Sequence, residues 1–195
     1  ATALRRPLSP PVILWLARVA PEKRPDVFVA LLTTLRRERV SFEAWIAGDG
    51  PSMSSMKRLV EDAGLSGAVR FLGVVHEVGR LLDGASVLVL CSDVEGAPNA
   101  ILEAQYSGCP VVATAVGGVT ELVVAGVSGF LVPAGDVDSL AARVSEVLLD
   151  REAAMRLASA GRASVLHHFS ADRMVEATLD VYRRVEVERC STRGA

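Results

Sequence analysis

The chain has 195 residues, half of them hydrophobic, enough for one compact domain with a sizeable core. A formal charge of -2, a pI near 6.0 and the absence of any basic arm give no electrostatic pull toward nucleic acid or an anionic membrane. Three widely spaced cysteines, Cys91, Cys109 and Cys190, read as buried or free thiols with no metal-ligand spacing, and no apolar run approaches the roughly 18 residues of a membrane span, so the chain reads as soluble and cytosolic.

Residues 1–11, "ATALRRPLSPP", combine charge with three prolines in the manner of an interdomain linker. "VILWL" (12–16) is a short run of β-forming residues, followed by a helix over 25–39 whose Val27, Leu31, Leu32 and Leu35 recur at helical spacing. The pattern then repeats: strand 42–48 and helix 52–63, strand 69–73 and a short helix ending near Asp83, strand 87–90 and a helix over 98–107. Strand 110–114 follows, then a turn at Gly117 and Gly118, a brief helix around Glu121, and strand 129–132. From Asp136 to about Arg189 the sequence reads as three helices broken near Asp150 and Phe169. Six near-continuous apolar strands separated by helical crossovers predict a Rossmann-like, doubly wound parallel α/β sheet with C-terminal helices. The domain is bounded at 12–185, leaving 186–195 as a tail.

In such sheets ligands bind beyond the carboxyl ends of the strands. The first such loop, "ARVAPEKRP", carries Arg18 and Lys23 and no glycine, which argues against the G-x-G-x-x-G turn of a NAD-binding dehydrogenase. A cation pair can hold phosphate through side chains instead, although solvated surface cations would look the same. "GDGPS" after the second strand and Gly117-Gly118 after the fifth could let a ligand approach the backbone or could be ordinary tight turns.

"SDVEGAPNAILEAQYSG" is more informative. Gly96 and Pro98 end a loop and start a helix, which would leave the amides of Asn99, Ala100 and Ile101 free to receive an anion. Asn99 and Glu103 share a helical face, and two carboxylates, Glu95 and Glu103, flank the helix start. Carboxylates accept hydrogen bonds from paired hydroxyls, so the arrangement suits a ligand with hydroxyls at both ends and phosphate between, a nucleotide sugar. A loop charge and an ordinary helix residue are the plain alternative. His167 and His168 suit a helix C-terminus, and His76 a loop edge. No nucleophile elbow, Cys-x-x-C pair or His-rich spacing is present.

The ordered set "LARVAPEKRPD", "IAGDGP", "RFLGVV", "SDVEGAPNAILEAQYSGCPVVATAVGGVTELV", "GVSGFLVPAGDVDSLA" and "FSADRMVEATLDVYRRV" resembles the C-terminal domain of retaining glycosyltransferases of the glycosyltransferase group 1 family, which have the GT-B fold. The likeness covers roughly residues 12–185. It implies that Arg18 and Lys23 hold the donor diphosphate, that Glu95 contacts the sugar hydroxyls, and that Glu103 binds the ribose. It also implies that the amides of Asn99, Ala100 and Ile101, beside Gly96, lie against sugar and phosphate, that Gly73, Val74 and Val75 lie near the base, and that Gly48 lines the cleft. Departures are Ala17-Arg18 where many members have Gly-Arg, and Arg24 where glycine often follows the lysine.

The implied function is donor binding for a retaining transfer of a hexose or N-acetylhexosamine, without metal or other cofactor. The acceptor site would belong to an N-terminal domain absent from this chain, onto which the final helix would cross back. Any peripheral membrane association would come through that missing half. The isolated domain is expected to bind donor and not to transfer sugar. A non-catalytic nucleotide-sugar-binding or regulatory module using the same cleft is the alternative.

Overall fold

The structure is a computed structural model that describes residues 9–192, with side chains described to residue 185. The linker expected at residues 1–11 lies largely outside the described residues. Six strands form one parallel sheet: β1 (Val12–Leu16), β2 (Glu43–Ala47), β3 (Val69–Gly73), β4 (Val87–Leu90), β5 (Val111–Thr114) and β6 (Phe130–Val132), in the order β3-β2-β1-β4-β5-β6. The connecting helices are α1 (Pro25–Arg37), α2 (Met53–Asp62), α3 (Val78–Gly84), α4 (Asn99–Ser107) and α5 (Val119–Leu122), with α6 (Val137–Leu149), α7 (Arg151–His168) and α8 (Ala171–Thr192) after the last strand.

Strand periodicity explains how the two layers form, because successive side chains point to opposite sheet faces. On β1, Ile13 and Trp15 enter a core with Phe28, Leu31 and Leu35 of α1 and Leu140 and Val144 of α6, while Leu14 enters a second core with Leu82, Ile101 and Val119 from α3, α4 and α5. Burial follows position in the sheet. The inner strands β4 and β5 are buried along their whole length, whereas β3, at the edge, exposes Arg70 and Leu72. A Pro at the first helical turn starts α1, and the side chains of Asp136 and Asp150 accept the Ser139 and Ala153 amides to cap α6 and α7. α7 packs on both α6 and α4, so it turns past the β6 edge from one layer to the other.

The breaks expected near Asp150 and Phe169 are where α6 gives way to α7 and α7 to α8. The boundary placed at residue 185 falls inside a helix, because α8 runs to Thr192 and no Gly or Pro interrupts it. Met174, Val175, Leu179, Tyr182 and Val185 on α8 are all exposed. No helix among the described residues is long and apolar enough to cross a membrane.

Candidate functional site at the β1/β4 switch point

β1 lies between β2 and β4, so the crossovers leaving β1 and β4 go to opposite sides and open a crevice beyond their carboxyl ends. Residues 17–24 leave β1 and residues 91–98 leave β4, and the two loops are tied together at several points. Pro21 opens a single 3-10 turn that carries Lys23, and Arg24, immediately before Pro25, adopts a left-handed conformation (φ 52°, ψ 59°). That conformation is the physical reason a glycine would be at home there. The Asp93 amide donates to the Glu22 carbonyl at 2.9 Å.

This turn delivers Lys23 to Glu95, 72 residues away in sequence: Nζ lies 2.6 Å from Oε1. The pair is largely buried, with the Glu95 side chain 7% and the Lys23 side chain 20% exposed. The Ser92 hydroxyl donates to the same Oε1 at 2.6 Å, and the Thr114 hydroxyl, at the end of β5, donates to the Ser92 carbonyl at 2.6 Å. The remaining oxygen, Oε2, has no protein partner among the described residues.

Arg24 forms a second tie. Its guanidinium makes bonds of 2.9 and 3.1 Å to Asp93 and of 2.8 to 3.2 Å to Asp26. The Asp26 bond, and then the Asp93 bond, hold the Arg24 guanidinium above its ordinary range, and Arg24 holds the Asp26 carboxyl below the usual carboxylate range. Because the folded value for Asp26 is depressed, its contribution is fully present above the unfolded value of about 3.9 and disappears as pH falls through the folded value. Arg24→Ala is therefore expected to lower stability by about 1 kcal/mol or less at pH 7, since all three side chains are partly exposed. Denaturant melts of the two proteins should converge well below pH 4 and separate above it; a gap independent of pH would assign the loss to packing instead.

The cysteines behave as expected where they are described. Cys91 and Cys109 are buried and unbridged, and the Cys91 thiol, near the Lys23 and Arg24 carbonyls at 3.5 and 3.3 Å, is pushed up to about 12 by burial. Cys190 lies among residues whose side chains are not described.

Other residues singled out in the sequence fall around this centre in different ways. Arg18 is exposed and makes no ion pair among the described residues. Glu103 projects exposed from α4, also without a partner among the described residues. Of the three amides expected to be free at the start of α4, that of Ile101 is not, since it donates to the Pro98 carbonyl at 3.0 Å. The tight entry of Pro98 into the helix closes this bond, so only the Asn99 and Ala100 amides precede it. Gly96 is exposed, Val74 is exposed beside half-buried Gly73 and Val75, and the Gly48 amide donates to the Gly73 carbonyl at 2.7 Å.

The glycines left open as ligand approaches are filled by protein. A Cβ on Gly50, the second glycine of "GDGPS", would lie 2.4 Å from the Val19 carbonyl oxygen, one on Gly48 would lie 1.9 Å from the Ala17 carbonyl oxygen, and Cβ atoms on Gly117 and Gly118 would lie 1.9 and 2.0 Å from the carbonyl oxygens of Glu95 and Gly96. The Gly-Gly turn thus closes on the backbone of the Glu95 loop. His76, His167 and His168 are exposed, the last two in the final turn of α7. Ser92, Thr114 and Asp93 were not singled out in the sequence. The one local signal for Ser92 is a hydroxyl at the end of a buried strand three residues before a carboxylate.

The strand order and the loop cluster at its switch point define a Rossmann-like α/β domain. The chain belongs to the glycosyltransferase group 1 family: the model of that family, "Glycosyl transferases group 1", matches residues 2–164. A putative colanic acid biosynthesis glycosyltransferase, WcaL, of Salmonella typhimurium is 36% identical over 152 residues, covering 74% of this chain and 37% of the relative. Anabaena HepE, solved in complex with UDP, superimposes with a TM-score of 0.80 at 25% identity, covering 87% of this chain and 48% of that one. The C-terminal domain of the group 1 protein LpcC from Francisella tularensis superimposes with a TM-score of 0.75 at 22% identity, covering 83% of this chain and 87% of that domain. The chain spans about half or less of the length of the curated relatives it matches, and it corresponds to the C-terminal half of the GT-B fold.

Proposed function

We propose that this domain binds a nucleoside diphosphate sugar in the crevice beyond β1 and β4. It would serve a retaining transferase that moves a hexose or N-acetylhexosamine to an acceptor held by an N-terminal domain. The observation that carries the reading is the meeting of Lys23 and Glu95 at the switch point, with Arg18 on the loop after β1 and Glu103 on α4 both exposed and without an ion pair among the described residues. HepE, a structural relative, was solved in complex with UDP, which supports a nucleotide as part of the ligand. The exposed apolar residues of α8 support a partner half against which the helix packs.

In this reading the leaving diphosphate gains charge in the transition state, and Arg18 and Lys23 stabilise it there without a metal. Without ligand, Glu95 holds the Lys23 ammonium at the mouth of the crevice, and on binding the ammonium turns from the carboxylate to the diphosphate. Glu95 keeps Oε2 for the sugar hydroxyls. The Asn99 and Ala100 amides at the positive end of α4 add to the anion field, Glu103 takes the ribose, and Gly73 to Val75 border the base.

Calorimetric titration of the chain with UDP, GDP and ADP, with and without EDTA, and then with the sugar-bearing form of whichever binds, tests this. Expected is selective binding of one base, unchanged by EDTA. Binding of NAD in preference to all three would overturn it, and efficient sugar transfer by this chain alone would overturn the two-domain requirement.

A further inference from the structure

We propose that Ser92, backed by Thr114, is a positioning residue that keeps the Glu95 carboxylate aimed at the donor sugar when Lys23 turns to the diphosphate. The inference rests on the donor reading of Glu95 and deepens it.

Two donors share Glu95 Oε1, and they differ in kind. Lys23 is a flexible ammonium whose second task, pairing with phosphate, draws its charge away from the carboxylate. Ser92 has no competing task. The residue is 2% exposed, its single hydroxyl proton is committed to Oε1 at 2.6 Å, and its carbonyl is fixed at 2.6 Å by the hydroxyl of Thr114, a residue 1% exposed. Ser92 thus spans the turn between β4 and Glu95, and Thr114 ties that turn across to the next strand, β5. Burial matters because water cannot easily replace either hydroxyl, so each bond persists and restricts the rotamers open to Glu95. With Oε1 held from behind, Oε2 is the oxygen presented to a ligand. No other described group holds the carboxylate once Lys23 leaves.

The test uses the 195-residue chain and its Ser92→Ala, Ser92→Thr and Thr114→Val variants. Two measurements are made on each: the orientation of Glu95 in ligand-free crystals that also carry Lys23→Ala, so that no ammonium holds the carboxylate, and, with Lys23 present, the Kd for UDP against UDP-glucose and for GDP against GDP-mannose. Ser92→Ala is expected to spread Glu95 over several rotamers and to weaken the sugar-bearing ligand about 5- to 10-fold while free nucleotide binding stays within about twofold. Ser92→Thr, which keeps the hydroxyl, is expected to restore both, and Thr114→Val to fall between. A Ser92→Ala protein whose Glu95 stays in place, or which loses free and sugar-bearing nucleotide equally, overturns the proposal. If the wild-type chain binds none of the four ligands, the donor reading fails instead, and the Glu95 orientation alone then decides whether Ser92 positions it.

Discussion

Glu103→Ala is expected to weaken free nucleoside diphosphate and its sugar-bearing form alike, by about 5- to 150-fold, whereas Glu95→Ala weakens the sugar-bearing form alone. The asymmetry follows from what each carboxylate touches. Glu103 is exposed on α4 with no protein partner among the described residues, so all of its hydrogen-bonding capacity is available to ribose hydroxyls that both ligands carry. Glu95 is already paired with Lys23, the residue proposed to hold phosphate. Removing it deletes a negative charge beside the diphosphate and frees the ammonium, two effects that favour the free nucleotide. The sugar-bearing donor gains the same relief but loses the acceptor for its hydroxyls. Truncation also leaves the buried Ser92 hydroxyl without its partner, at a stability cost of about 1 kcal/mol, so the titrations belong at a temperature where the variant is fully folded. Equal losses for both ligands in both variants would remove the division of labour.

The same pairing shows where sequence reading stops. The strands and helices were legible because each is a local pattern, such as the unbroken apolar run "VILWL" or the spacing of Val27, Leu31 and Leu35. That the strands run parallel was legible because helical crossovers separate them, whereas their order in the sheet is set by tertiary packing. The loops that bear function were legible too, because they follow strand ends. Partners across the crevice were not. Nothing in "APEKRP" specifies that Lys23 meets a carboxylate 72 residues on, or that Arg24 reaches Asp93, since those bonds depend on β1 and β4 being neighbours. Ser92 carries no signal of its own for a related reason: a serine at a strand end is common, and only the placement of Glu95 and Thr114 gives it a role. The Ile101 amide shows the opposite error. The start of α4 is legible in the sequence, but the number of its free amides is not, because the bond from the Ile101 amide to the Pro98 carbonyl depends on how tightly the first turn closes.

The glycines were ambiguous in the sequence because a turn and a ligand approach both require a missing side chain; the structure separates the two, and a substitution tests the separation. Gly117→Ala is expected to cost about 3 to 4 kcal/mol, a fall in Tm of roughly 6 to 16 °C for a domain of this size. Two causes add. Gly117 has a φ of +47°, a left-handed conformation that costs an L-residue about 1 kcal/mol, and its new Cβ would stand 1.9 Å from the Glu95 carbonyl oxygen and 3.1 Å from the Glu95 carbonyl carbon. A collision with backbone cannot be relieved by a rotamer change, so the β4–α4 loop must shift, carrying the Glu95 carboxylate with it. The same carbonyl accepts the Gly118 amide at 3.3 Å, and that bond is lost or strained as well. Gly64→Ala is the matched control, because Gly64 has a similar φ of +66° but no heavy atom within 4 Å of the added Cβ, so it should show the conformational cost alone. Thermal melts of the two variants should therefore differ by about 2 to 3 kcal/mol. At temperatures where Gly117→Ala is folded, it should also bind the sugar-bearing nucleotide less well than the free one relative to wild type. Equal melts for the two variants would mean that the Gly-Gly turn does not close on the Glu95 loop, and would return these glycines to the ligand.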